Sequence, residues 1–294
     1  MKDLMREGLD DSYGFLTLQN AILNIMEYVD SFCTENDVDY CLMGGSALGA
    51  KRHGGFIPWD DDLDIFMTPN EYEKFRTAFN ENGDKEKYYL QEWGETDGMV
   101  TISKIRMNQT TYIESAFEEW DMHQGIYIDI FILHVCPNHR LQQLWQCLWG
   151  KYVIMKGLAI RGYDRRKGFL GFALKVIRLF PEHFMVKFGL KQVYRYRDKQ
   201  TKFYCNFLGK AVFKNAIYPR KYFEEKVNEP FEKISLKVPK MLHEFLSERF
   251  GDYMKIPDQD RIKWEQHAAY WNVEQDFRQN LKNIKDFSDE KRLI

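Results

Sequence analysis

Four acids stand together in Trp59-Asp60-Asp61-Asp62-Leu63-Asp64-Ile65-Phe66-Met67, and the last two alternate with apolar residues. On an extended chain successive side chains point to opposite faces, so Asp62 and Asp64 share one face with their Cα atoms roughly 7 Å apart. Leu63, Ile65 and Phe66 mark the segment as a buried strand, predicted over residues 62–67, where unpaired carboxylates are costly. Like charges at this distance oppose one another's ionisation unless a cation intervenes. The pair suits Mg²⁺, a hard ion that takes one or two protein carboxylates and completes its shell with water and phosphate oxygens. The alternative is an acidic turn in solvent at the start of a strand, and the apolar neighbours weigh against it.

Upstream, the apolar run 38–43 reads as a strand stopped by Gly44-Gly45, with Ser46 at the N-cap position ahead of Ala47-Leu48-Gly49-Ala50. Glycines admit a ligand close to the backbone, and N–H groups at a helix start favour phosphate. An ordinary strand-to-helix turn has the same pattern, so its meaning depends on the acidic strand that follows. A breaker-rich loop is predicted over 51–61. Asp129 is a lone acid in the apolar strand candidate 126–131, either in a salt bridge or as a third carboxylate beside Asp62 and Asp64 in a two-metal site. Helical periodicity over 17–33, a Thr68-Pro69 helix start running to about residue 80, and strand candidates at 101–107 and 110–113 make everything to about residue 135 a mixed α/β block.

Charge divides the chain. Its 294 residues carry a net −2, which gives no reason to expect a nucleic-acid partner, and 44% apolar with 16% aromatic content excludes disorder. Between Lys151 and Lys221, however, 18 basic residues face 3 acidic ones, while the remainder holds 24 basic and 41 acidic. Residues 140–213 read as mostly helical, and 168–180 is apolar with Lys175 and Arg178 interspersed. Such a helix either lies in an anionic membrane interface or caps the catalytic block with a basic face. A last helix is predicted over 239–250. Three regions follow: a catalytic core (1–135), a basic helical region (136–221) and a C-terminal segment packing back on the core (222–294). Cys33, Cys41, Cys136, Cys147 and Cys205 form no CxxC pair and read as free thiols of a reducing compartment. With no apolar leader and no bilayer-length apolar run, the expected location is cytoplasmic, or peripheral at the inner face of the membrane.

The run GGSALGAKRHGGFIPWDDDLDIFM (44–67) resembles the signature of the LicD family, within the nucleotidyltransferase superfamily. Supporting matches are Lys104-Ile105-Arg106, residues 126–131, Phe250-Gly251-Asp252-Tyr253-Met254 and Trp264-Glu265-Gln266-His267. The resemblance implies an α/β (α+β) fold, a nucleotidyltransferase-like mixed-sheet core joined by the basic helical region. It also implies transfer of phosphocholine from CDP-choline to a cell-surface glycan, such as lipopolysaccharide or teichoic acid, or to its lipid-linked precursor. Carried over, Asp62, Asp64 and Asp129 are the catalytic acids and hold one or two Mg²⁺ ions, with Mn²⁺ as a substitute. Gly44, Gly45 and Ser46 contact phosphate; Arg52, His53, Lys104, Arg106 and His267 are further substrate-binding candidates. Arg52 and His53, with Lys51, either close on substrate or are solvated. Phosphoryl transfer needs in-line positioning and charge neutralisation more than covalent catalysis, and Asp129 is the candidate to take the acceptor proton. A choline cage would need aromatic faces, for which Trp59, Trp93, Trp120, Tyr127 and Trp264 are candidates. Rival readings are glycerol-phosphate or ribitol-phosphate transfer from the CDP-alcohol, nucleotidyl transfer, or a polyanion- or membrane-binding adaptor with an inactive core.

Overall fold

The acidic strand and the strand of Asp129 lie side by side in the computed structural model, which describes residues 11–92, 102–114, 117, 122–160, 168–180, 182–211, 213–258, 260, 262 and 266–279. A five-stranded mixed sheet is built from β1 (Cys41–Leu42), β2 (Asp64–Met67), β3 (Tyr88–Gln91), β4 (Ser103–Met107) and β6 (Tyr127–Ile132), in the order β1-β2-β6-β4-β3. Only β2 and β6 run parallel; the other neighbours are antiparallel. Helix α1 (Leu16–Glu35) packs on β6 and β4 through a stripe that includes Leu18, Ile22, Ile25, Val29 and Phe32. Helix α3 (Pro69–Asn82) starts as expected, with Thr68 Oγ1 accepting from the Glu71 N–H and Pro69 in the first turn. The α/β class inferred from the sequence is the observed one, and the five cysteines are free thiols.

Several boundaries differ, each for a local reason. The strand expected over 38–43 is only Cys41–Leu42, because Val38 N–H bonds to the Cys33 carbonyl and Asp39 N–H to the Glu71 carboxylate, outside any ladder. Helix α2 (Gly44–His53) begins before Ser46, with Met43 as the extended N-cap and Gly44 at φ +55°. It also runs through Lys51, Arg52 and His53, which were expected in a loop, and stops at Gly54 in the left-handed conformation. Strand β2 starts at Asp64 instead of Asp62.

Strand β5 (Thr111–Glu114) pairs with β12 (Ala268–Asn272), which brings a distant segment back onto the core. β7 (His134–Cys136) pairs with β8 (Phe203–Cys205), and β8 with β9 (Ile217–Pro219). The helical reading of 140–213 is therefore corrected. Helices α4 (Arg140–Ile160), α5 (Phe169–Leu179) and α6 (Glu182–Val193) end at Val193, and the chain then supplies a strand to an open edge. A hairpin of β10 (Lys226–Phe231) and β11 (Ile234–Pro239) precedes α7 (Leu242–Phe250), so Pro239 closes a strand where it was expected to open a helix. Among the described residues no helix is long and apolar enough to cross a membrane.

Candidate functional site

Asp64 and Asp129 are partners in the parallel β2–β6 register, and neighbouring strands point in-register side chains to the same face. Asp62 precedes the strand on the same side. One carboxylate oxygen from each of Asp62, Asp64 and Asp129 lies within 4.8 Å of the others. Burial, with the Asp62 and Asp129 charges, pushes the Asp64 carboxyl well above the usual carboxylate range, against Arg249 and Lys104. Burial likewise raises Asp62 to about 6, with Asp61 and Asp129 adding to the rise and His267 opposing it. Asp129 is also raised by burial, against Lys104. Asp64 Oδ1 is buried with no hydrogen-bond partner among the described residues. Three converging carboxylates, one with an oxygen left unsatisfied, fit a hard divalent cation.

The start of α2 is built against this cluster. A Cβ on Gly44 would lie 3.3 Å from Asp64 Oδ2, and one on Gly45 would lie 2.8 Å from Asp60 Oδ2, inside contact distance. Ser46 Oγ accepts the Asp64 backbone N–H at 2.8 Å, and Met43 N–H donates to the Asp64 carbonyl at 3.0 Å. Ser46 therefore ties the helix start to the acidic strand. From α1, Gln19 Nε2 donates to the carbonyls of Ile57 and Asp60 and holds the loop that carries the acids.

The other candidates divide. His267 reaches the cluster: its Nδ1 is 3.4 Å from Asp61 Oδ1 and 3.5 Å from Asp62 Oδ2, and its Nε2 meets Lys210 Nζ at 2.8 Å. The hydrogen bond to Asp61 raises the His267 pKa despite burial. Lys104 reaches it through Asp129, with Nζ 2.7 Å from Asp129 Oδ1, 3.5 Å from Glu114 Oε2 and 3.4 Å from the centre of the Tyr127 ring. Arg106 is buried one step further back, donating to Gln91 Oε1 and the Gly125 carbonyl. Arg52 and His53 are buried at the end of α2; Arg52 Nη1 donates to the Tyr253 carbonyl and its Nε to His53 Nε2. These two are therefore not solvated, and their side chains meet internal partners.

Of the aromatic candidates, Tyr127 is buried with Lys104 and Arg106 on its ring, and Trp59 is buried 5.8 Å from the Arg52 guanidinium carbon. Both rings already serve internal cations. Trp93, Trp120 and Trp264 lie outside the described residues.

Four side chains at or beside the site were not singled out from the sequence. Asp61 is fully buried, and its Oδ2 accepts the backbone N–H groups of His267 and Ala268 at 2.7 and 2.8 Å. Burial alone would raise its pKa; the bonds from His267 and Ala268 outweigh that and lower it. Glu114 on β5 is also held low, burial being overcome by Lys104 and Arg106. Arg249 on α7 donates from Nη1 to Tyr218 Oη at 3.0 Å, and its Nη2 is 4.0 Å from where a Gly44 Cβ would stand. Lys210 joins through His267. Asp61 was visible in the acidic run, whereas Arg249 and Lys210 carry no local signal.

A family profile described as the LicD/FKTN/FKRP nucleotidyltransferase domain matches residues 37–157, the stretch from β1 into α4. The lipopolysaccharide cholinephosphotransferase LicD of Haemophilus influenzae is 27% identical over 261 residues, covering 83% of this chain and 93% of that protein. The ribitol 5-phosphate transferase FKRP of Mus musculus and of Homo sapiens is 47% identical over 45 residues, 15% of this chain and 9% of that protein. The profile match spans both acidic strands, and the similarity to LicD extends along most of both proteins, so residues 37–157 are similar to the LicD nucleotidyltransferase domain in the part that carries Asp62, Asp64 and Asp129.

Proposed function

We propose that this transferase moves phosphocholine from CDP-choline to a hydroxyl of a cell-surface glycan or its lipid-linked precursor, in a Mg²⁺-dependent reaction. The observation that carries the reading is the meeting of Asp62, Asp64 and Asp129, with the unsatisfied Asp64 Oδ1, beneath the glycine start of α2. The similarity to the Haemophilus cholinephosphotransferase supports the cargo.

Asp62, Asp64 and Asp129 would hold Mg²⁺, and Mn²⁺ could replace it. The ion would supply charge neutralisation at the phosphate oxygens. Gly44 and Gly45 let the start of α2, whose N–H groups would receive phosphate, pack directly against the carboxylates of Asp64 and Asp60, and Ser46 holds the helix start in place. The acceptor oxygen forms a bond to the phosphorus of phosphocholine, the bond from that phosphorus to the bridging oxygen breaks, and CMP leaves. Asp129 takes the hydroxyl proton on Oδ2, the oxygen that Lys104 does not occupy. Lys104 holds that carboxylate in place, and Asp61 orients His267 toward the cluster.

A second reading, ribitol-phosphate transfer from CDP-ribitol, is favoured by the local similarity to FKRP. Calorimetric titration of CDP-choline, CDP-glycerol, CDP-ribitol and CTP, with and without Mg²⁺, separates the two. Metal-dependent binding of CDP-choline, abolished in Asp62→Asn/Asp64→Asn, is the expected result. Preference for CDP-ribitol would replace the cargo, and absence of nucleotide binding by the folded protein would remove the reading.

A further inference from the structure

Helix α5 carries its apolar stripe on the wrong side for a core helix. Gly171 and Leu174 are its buried residues, facing α4, while Phe169, Phe172, Val176 and Leu179 are exposed along the opposite side. Phe169 and Leu179 are more than four-fifths exposed. The pattern continues onto α6 with Phe184 and onto α4 with Leu141 and Leu148. Of the 18 large hydrophobic side chains exposed among the described residues, 12 fall within 141–188. A solvent-facing concentration of this kind marks an interaction surface.

The helix is held in this orientation. Lys156 of α4 is buried, and its Nζ donates to the carbonyls of Ile177, Arg178 and Phe180 at 3.3, 3.1 and 2.8 Å. These carbonyls lie at the C-terminal end of α5, where a helix runs out of intrahelical donors; of the three, Ile177 also accepts the Phe180 N–H. Lys156 thus ties the C-terminal end of α5 to α4 with the stripe facing outward.

Charge identifies the occupant. Lys175, Arg178, Lys187 and Lys191 are exposed on α5 and α6, and from Arg140 to Arg197 the sequence contains only two acids, Asp164 and Glu182. An apolar strip with basic flanks matches an anionic lipid interface, where rings enter the acyl boundary and ammonium groups stay at the headgroups. We propose that α5, with the adjoining faces of α4 and α6, docks this protein on the surface of an anionic bilayer. The proposal is independent of which phospho-alcohol is transferred.

The test is co-sedimentation with vesicles of equal parts phosphatidylglycerol and phosphatidylcholine, and with vesicles of phosphatidylcholine alone, using the full chain. Wild type is expected to bind the anionic vesicles, and raised salt to weaken that binding. Phe169→Ser/Phe172→Ser is expected to lose roughly tenfold or more in affinity while CDP-choline titration and the circular dichroism spectrum stay unchanged. Lys175→Glu/Lys187→Glu should also weaken binding, on anionic vesicles only. Failure of wild type to bind anionic vesicles at low salt would overturn the proposal. Binding unaffected by the Phe substitutions would overturn it too. So would a dimer in light scattering that the Phe substitutions dissociate without any vesicle binding, since the stripe would then belong to a second copy.

Discussion

The acidic cluster and the α4–α6 region handle unfavourable groups in opposite ways. Around Asp62, Asp64 and Asp129 the protein buries like charges and compensates only part of them, Lys104 serving Asp129 and Glu114 while Asp64 Oδ1 has no partner among the described residues. In α5 it exposes apolar rings and spends a buried lysine, Lys156, on keeping them exposed. Folding free energy alone would favour neither arrangement, since buried acids and solvated phenylalanines both cost stability. On the two proposals above, each would cost less once a ligand arrived: a cation with its phosphate in one place, a lipid surface in the other. Lys151 of α4 links the two regions, donating to the carbonyls of Gly209 and Ala211 at 2.8 Å each, on either side of the lysine that meets His267.

The largest effect is expected at the acids. Asp62→Asn/Asp64→Asn should lower transfer by about 10³-fold or more, measured as CMP release. If the buried charges are a cost in the absence of metal, Asp64→Asn in chelator should melt no lower than wild type in scanning calorimetry; a clear drop would show that the carboxylate is already satisfied by the protein. Lys104→Met should destabilise by about 3–5 kcal/mol in urea titration, because Asp129 and Glu114 lose a buried partner. A loss below 1 kcal/mol would mean that water reaches the pair.

At the seam of the two regions, His134 on β7 is buried edge-on to Tyr194, with neither ring nitrogen hydrogen-bonded among the described residues, and burial pushes its pKa down to about 3. The unfolded chain takes up this proton near pH 6.5, so the stability contribution is complete above that pH and is lost as pH falls from there toward 3. His134→Leu should flatten the stability curve across that window by up to about 1.4 kcal/mol per pH unit, read from denaturation midpoints. An unchanged slope would show that the ring finds a proton acceptor when charged. The smallest effect is expected from Lys151→Met, which loosens the Gly209–Ala211 turn: a few-fold rise in acceptor KM with kcat and nucleotide binding unchanged. Loss of nucleotide binding would make the link part of the donor site.

What could be read in advance followed from local periodicity. Alternation placed Asp62 and Asp64 on one face, and an acid in an apolar strand singled out Asp129; the β2–β6 register then brought Asp129 opposite Asp64. Helix α3 was legible because Thr68 and Pro69 act within its first turn. The partners of Arg106 and Arg52 were not legible, because a motif shows that a cation is present without showing which way it points. Arg106 faces inward to Gln91 and Gly125, and Arg52 to the Tyr253 carbonyl, 201 residues away in sequence. The β10–β11 hairpin was invisible for a related reason. Its turn, Glu232-Lys233, has no glycine or asparagine, yet Glu232 sits at φ +53°. Its N–H donates to the Gly54 carbonyl and its carboxylate accepts the Phe56 N–H, so distant contacts stabilise a conformation that local preference disfavours.

By itself the sequence determined the α/β class, the acidic strands, the glycine helix start and the two charge poles. These depend on side-chain alternation, backbone freedom and composition, all of which act over a few residues. Tertiary structure alone decided that Asp61 would anchor His267, that Lys104 would serve Asp129 before any phosphate, and that the α5 stripe would face outward. Each of those outcomes depends on which groups, far apart along the chain, are close enough to satisfy a charge or a carbonyl once water has been excluded.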